Sequence, residues 1–97
     1  MSKREKLPDE AIVAFVANHP GWERADDALV KTFAFSDYGA GIAFVVRAGF
    51  AAEKRDHHPD LAVRYRKVEV RWSTHDAGGI TALDLEMAEL CDRVYLA

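Results

Sequence analysis

A chain of 97 residues, 49% apolar and 30% charged, has room for one small folded unit and the composition of an ordinary globular protein. Its formal net charge of -3 opposes a role built on binding phosphate backbones, which needs clustered Lys and Arg, so no nucleic-acid partner is expected. The charged start Met1-Ser2-Lys3-Arg4-Glu5-Lys6 leads into no apolar stretch, which points away from a secretory signal or membrane anchor and toward the cytosol, with residues 1–97 forming a single domain.

Taken in chain order, Ile12, Val13, Phe15 and Val16 recur at helical spacing between Pro8 and Asn18, with Asp9 and Glu10 in the first turn, where the helix dipole favours acids. His19-Pro20-Gly21 stops that helix. Trp22 to Arg24 and Leu29 to Phe35 read as a hairpin around the polar Ala25-Asp26-Asp27-Ala28 turn. Ser36 is placed to cap a long helix over Asp37–Asp56, with an apolar stripe of Tyr38, Ile42, Val45, Val46 and Phe50. Gly39, Gly41 and Gly49 each cost a helix on the order of 1 kcal/mol, so close packing against a sheet or a partner helix is expected to offset them.

After Pro59 the chain reads extended, Val63 and Tyr65 in one phase and Val68, Val70 and Trp72 in the other, with a slip at Arg66-Lys67 that marks a turn or bulge. Arg64, Arg66, Lys67 and Arg71 alternate with those apolar residues as the wet face of a half-buried strand does. Ala77-Gly78-Gly79 is a loop. Thr81 with Asp84 three residues on forms a capping box for a last helix lined by Leu83, Met87, Leu90, Cys91 and Val94. Cys91 is the sole cysteine, which excludes an internal disulfide, and reads as a small buried hydrophobe. The order α-β-β-α-β-β-α predicts an α+β fold, a four-stranded antiparallel sheet with three helices packed on one face.

Three of the four histidines fall with several acids between Glu53 and Asp84. Glu53 and His57 are four apart at the end of the long helix, so they are expected to share a face and touch, favouring the charged imidazole as the last helical turn also does. Pro59 disfavours helical geometry for His58, which must turn away from His57. His75 lies at a strand end. Imidazoles, with an ordinary pKa of about 6.5, both give and take protons near neutrality, and such a cluster suits general acid/base work. Zinc held by His57, His58 and His75 is the competing reading, although adjacent histidines lack the spacing of the common zinc motifs. His19, beside Pro20-Gly21, reads as surface or capping.

The run Glu53-Lys54-Arg55-Asp56-His57-His58-Pro59, followed by Tyr65, Thr74-His75, Gly79, Thr81 and Asp84, resembles the signature of the pterin-4a-carbinolamine dehydratases at that family's own spacings. Phe33-Ala34-Phe35, Tyr38, Phe44 and Pro20-Gly21-Trp22 extend the resemblance over nearly the whole chain. It implies a lyase that needs no cofactor and no metal, dehydrating 4a-hydroxy-tetrahydrobiopterin or a bacterial-type relative to the quinonoid dihydropterin and so recycling the cofactor of aromatic amino acid hydroxylases. It also implies a homodimer or homotetramer. By the same resemblance, His57 and His75 would pass a proton to the leaving group, and His58 would hold the pterin and assist proton removal. Glu53 would orient or charge His57. The backbone around Asp56, Ser73 and Thr74 would meet the pterin's amide and amine edge, with Asp84 either at the substrate or simply capping its helix. Leu61 departs from the aromatic residue that some members carry after His-His-Pro. Related proteins with eroded sites act as assembly factors, including for Rubisco, so a non-catalytic assembly or dimerisation module is the alternative.

Overall fold

The computed structural model describes residues 3–97; Met1 and Ser2, which open the charged N-terminal run, lie outside the described residues. Helix α1 (Asp9–Asn18) starts after Pro8 with Asp9 and Glu10 in its first turn. His19 closes it, stacking on the Phe15 ring at 3.7 Å while its nitrogens meet the Phe15 carbonyl at 2.8 Å and Glu89 at 3.0 Å. Strands β1 (Glu23–Ala25) and β2 (Ala28–Ala34) form the expected hairpin, each displaced by one residue, around a tight Asp26-Asp27 turn with Asp26 at φ 55°.

Helix α2 (Tyr38–Arg55) is capped by Asp37, not by Ser36: Asp37 Oδ1 accepts the Ala40 N–H at 2.7 Å. Both residue types cap well, and the helix takes the one whose carboxylate also complements the positive end of the dipole. Strands β3 (Asp60–Arg64) and β4 (Lys67–Trp72) then pair through a two-residue turn at Tyr65-Arg66. The phase slip in the sequence is this turn. Tyr65 sits in it at φ 53° with its ring exposed, outside the strand where alternation placed it. A short 3-10 turn (His75–Ala77) leads to α3 (Ala82–Leu96), where the capping box of Thr81 and Asp84 is present.

All strand pairs are antiparallel in the order β1-β2-β4-β3, so α2 carries the chain from β2 over β4 to the far edge. Register places Phe33 opposite Val68 and Leu29 opposite Trp72, and these four residues are essentially inaccessible. They form one core with Ile12 and Phe15 of α1, Phe44, Ala48 and Ala52 of α2, and Leu83, Met87, Ala88 and Cys91 of α3. Burying each large side chain of this set stabilises the fold by roughly 1.5–3 kcal/mol. The close packing expected to offset the helix glycines is not required by them: a Cβ at Gly41 would stand in ordinary contact, 3.4 Å from Val68 Cγ2, and Gly49 faces open space. Arg64, Arg66 and Lys67 are exposed while Val68, Val70 and Trp72 are buried, as the alternation of the basic stretch predicted. No helix among the described residues is long and apolar enough to cross a membrane.

Candidate active site

The end of α2, the start of β3 and the end of β4 come together at one edge, because Asp60 pairs with Arg71 in the sheet. There they enclose a cleft of about 370 Å³ lined by residues from Arg4, from 56–60 and from 73–76. Six of the eight residues expected at the site line it: Asp56, His57, His58, Ser73, Thr74 and His75. Glu53 and Asp84 do not, and each instead holds one of the histidines from behind.

The backbone separates the two adjacent histidines. At the end of α2, the Asp56 N–H bonds the Glu53 carbonyl at 3.1 Å and the His57 N–H reaches the Ala52 carbonyl at 3.2 Å. This is a Schellman closure, and it requires a left-handed residue, here Asp56 at φ 50° and ψ 44°. Glycine is the common choice, and aspartate is among the few other residues that adopt this conformation readily. The reversal turns His57 inward, 6% exposed, with its ring stacked parallel to Trp72 at 5.5 Å between centroids. His58 is left outside, its side chain 56% exposed.

The expected contact between Glu53 and His57 is therefore not made. Glu53 Oε1 bonds His58 Nε2 at 2.7 Å, and His57 Nε2 bonds Asp84 Oδ1 at 2.5 Å. Spacing of four brings side chains together only while the helix continues, and here it ends at Arg55. The Asp84 partnership joins residues 27 apart in sequence, so no local pattern announced it.

Asp84 is fully buried, and its second oxygen is equally occupied. Oδ2 accepts the Thr74 hydroxyl at 2.8 Å and the Thr81 N–H at 2.9 Å, with Thr81 Oγ1 at 3.4 Å. Thr74 and Thr81 hydroxyl oxygens lie 2.8 Å apart. Since the Thr74 hydrogen is committed to Asp84, the Thr81 hydroxyl donates to Thr74. The carboxylate in turn accepts the Nε2 hydrogen of His57, so in the neutral ring Nδ1 is the acceptor.

His75, on the 3-10 turn, is exposed, and its side chain has no hydrogen-bond partner among the described residues. Ser73 donates to the Asp27 carbonyl at 2.9 Å, which fixes the strand end in place. Pro59, Asp60, Asp76 and Arg4 also line the cleft and were not anticipated. Pro59 and Asp76 adjoin expected residues in sequence and Asp60 is two residues from His58, whereas Arg4 arrives from the other end of the chain and bonds the Asp56 carbonyl at 3.2 Å. Behind the site, the Trp72 indole N–H is buried without a hydrogen-bond partner among the described residues, close enough to Cys91 to affect its thiol; burial nevertheless pushes that thiol up to about 11. Among the described residues no three His, Cys, Asp or Glu side chains form a metal-ligating group.

The sequence model of the family described as pterin 4 alpha carbinolamine dehydratase matches residues 5–94. A relative from Afipia carboxidovorans is 46% identical over 90 residues, covering 91% of this chain and 90% of its own length, and one from Thermomicrobium roseum is 43% identical over 83 residues, covering 86% and 89%. Both bear the provisional name pterin-4-alpha-carbinolamine dehydratase. Among solved structures, a transcriptional coactivator/pterin dehydratase from Brucella melitensis superposes with a TM-score of 0.89 at 30% identity, covering 94% of this chain and 99% of its own. A pterin dehydratase-like RuBisCO assembly factor of the alpha-carboxysome shares the fold, with a TM-score of 0.63 at 20% identity over 76% of this chain and 86% of its own. With a family match along residues 5–94 and relatives aligned over most of their lengths, the chain belongs to the pterin 4 alpha carbinolamine dehydratase family.

Proposed function

We propose that the protein dehydrates a 4a-hydroxy-tetrahydropterin, 4a-hydroxy-tetrahydrobiopterin or a close relative, to the quinonoid dihydropterin by histidine acid/base catalysis, acting in the cytosol as a single domain. The observation that carries this reading is the convergence of His57, His58 and His75 on one cleft, in three unlike surroundings. The reaction needs two proton transfers. The C4a–O bond breaks as the departing hydroxide takes a proton from an imidazolium and leaves as water. N5 loses its proton to a neutral imidazole, and the freed electron pair forms the C4a=N5 double bond.

His57 and His75 are the groups that serve the leaving oxygen, from the inner wall and from the 3-10 turn. His58, paired with Glu53 at the rim, holds the pterin and assists proton removal from N5. Asp84 is assigned to His57 and not to the substrate, because it is fully buried and does not line the cleft. The backbone N–H groups of Asp56 and Thr74 are bonded within the chain, so on this wall the carbonyl oxygens of Asp56 and Ser73 are the backbone groups that suit the N–H donors of a pterin's amide and amine edge. A homo-oligomeric state is supported by the outward face of α2, where Val46 and Phe50 are 51% and 74% exposed beside Val45 and Gly49.

The test is the decay of freshly generated 4a-hydroxy-tetrahydropterin absorbance with wild-type protein, EDTA-treated protein, and the His58→Ala and His75→Ala variants. Acceleration that survives EDTA and drops in both variants is expected. Folded wild-type protein that gives no acceleration refutes the reading.

A further inference from the structure

We propose that Thr74 and Thr81 are positioning residues for His57, acting through Asp84 to fix which ring nitrogen carries the proton. The proposal rests on the catalytic reading of the cleft for its kinetic consequence, but its structural claim stands on the hydrogen bonds alone. Those bonds form a directed chain. Thr81 Oγ1 donates to Thr74 Oγ1 at 2.8 Å, Thr74 donates to Asp84 Oδ2 at 2.8 Å, and Asp84 Oδ1 accepts His57 Nε2–H at 2.5 Å. Every member except His57 is at most 3% exposed, and His57 is 6% exposed, so water does not compete for the bonds.

The chain has two consequences for the imidazole. Two donors on Oδ2, the Thr74 hydroxyl and the Thr81 N–H, hold the carboxylate plane and leave Oδ1 as the oxygen aimed at His57. The carboxylate so held must accept from Nε2, so a neutral His57 keeps Nδ1 as its acceptor. The ring is held between Asp84 of α3, bonded to Nε2, and Trp72 at the end of β4, stacked on it, and it shares the cleft wall with the titratable Arg4, Asp56, His58, Asp60, His75 and Asp76. Of these, Asp84 alone bonds a ring nitrogen among the described residues.

The backbone reinforces this arrangement. The Thr74 N–H bonds the Gly79 carbonyl at 3.0 Å, and the Asp84 N–H bonds the Thr81 carbonyl at 3.0 Å. The loop that carries both threonines is thereby closed on itself, and the N-terminus of α3 is tied to the strand end that bears the cleft wall. A hydroxyl is required at 74, where valine would fill the same space without donating.

The experiment pairs spectroscopy with kinetics on the intact chain. Long-range 1H–15N correlation of the imidazoles at about pH 9, above the ordinary histidine range, reports the tautomer of His57 with or without turnover. Wild type is expected to show His57 with its proton on Nε2, and Thr74→Val to show a mixture. In the pterin assay, Thr74→Val should lower kcat about tenfold with KM within about twofold, as loss of an interaction used only in the transition state does. Thr74→Ser should restore both readouts. In an Asp84→Asn background, Thr74→Val should add little, since both act through one carboxylate.

Thr81 Oγ1, at 3.4 Å from Oδ2, can close part of the gap left by Thr74→Val, so Thr81→Val is measured beside it and is expected to shift the same tautomer signal. An unaltered His57 tautomer in both valine variants overturns the proposal, whatever their stability. So does a fall in melting temperature with kcat unchanged. If wild type lacks dehydratase activity while the tautomer moves as expected, the catalytic reading fails and the positioning chain stands.

Discussion

Asp84→Asn alters one atom of a fully buried side chain and sets two sets of donors in conflict. The carboxylate receives hydrogen from Thr74, Thr81 N–H and His57 Nε2, so both of its oxygens must accept. An amide has only one acceptor oxygen. If that oxygen serves Thr74 and Thr81, the amide NH2 faces His57, and the ring must move its proton to Nδ1 to accept it. If the oxygen serves His57, the NH2 abuts the Thr81 N–H, and two buried donors face each other. Either way a charge-assisted bond is lost, worth about 1.5–3 kcal/mol. A loss of about 2 kcal/mol should lower the melting temperature of a chain this size by roughly 8–16 °C. The first arrangement also leaves no acceptor for Nε2–H, so the imidazolium that serves the leaving oxygen loses its stabilising partner. General acid/base groups contribute about 10²–10⁴-fold, so kcat should fall at least about 100-fold. Urea unfolding followed by circular dichroism, with pterin turnover measured on the same samples, reads both effects. An Asp84→Asn protein as stable and as active as wild type would refute the assignment of Asp84 to His57.

Three further outcomes follow from other parts of the molecule. Lys3 and Arg55, bonded to Glu86 at 2.6 and 2.8 Å, hold its carboxyl below the usual value of 4.5. A depressed carboxyl stabilises the fold above its unfolded value and ceases to do so as pH falls through the folded one. Glu86→Gln should therefore cost about 0.5 kcal/mol at neutral pH, and the difference in urea midpoint from wild type should vanish in acid below 4.5. The Cys91 thiol, buried and raised to about 11, should resist a disulfide reagent in the folded protein at neutral pH and react promptly in urea; rapid reaction without denaturant contradicts its burial. If α2 joins copies, sedimentation should give a multiple of 10.8 kDa and Phe50→Glu should reduce it, whereas a 10.8 kDa wild-type species removes that proposal.

The apolar stripe expected to be the inner face of α2 is largely outward: Tyr38, Val46 and Phe50 are exposed, and Gly41, Phe44, Ala48 and Ala52 are the residues buried on the sheet. Periodicity and caps nevertheless sufficed for the element order, because helical spacing in α2 and alternation in β4 are local signals. Pro59 likewise announced that His57 and His58 would part. What no local signal carried was the partner each would find. Glu53 and His57 share a helical face only if the helix continues, and a left-handed Asp56 ends it one residue early. Asp84 was visible as a cap, and its bond to Thr81 N–H is that cap. Its other oxygen is committed to a ring that reaches it only through the docking of α3 on the end of α2. Tyr65 fitted the strand phase and occupies the turn instead, since a two-residue connection between paired strands needs a residue at positive φ there.

The left-handed Asp56 has a consequence for what this corner can tolerate. The conformation of one residue determines which of two identical side chains enters the core and which stays in solvent. The segment 55–59 therefore counts residues as well as specifying them. Replacing Asp56 with glycine or asparagine keeps the count and should keep both imidazoles in their places. Adding or deleting one residue would bring the wrong histidine to Trp72 and Asp84 while leaving the composition of the cleft nearly unchanged. In engineering terms, the corner accepts changes of side chain more readily than changes of length.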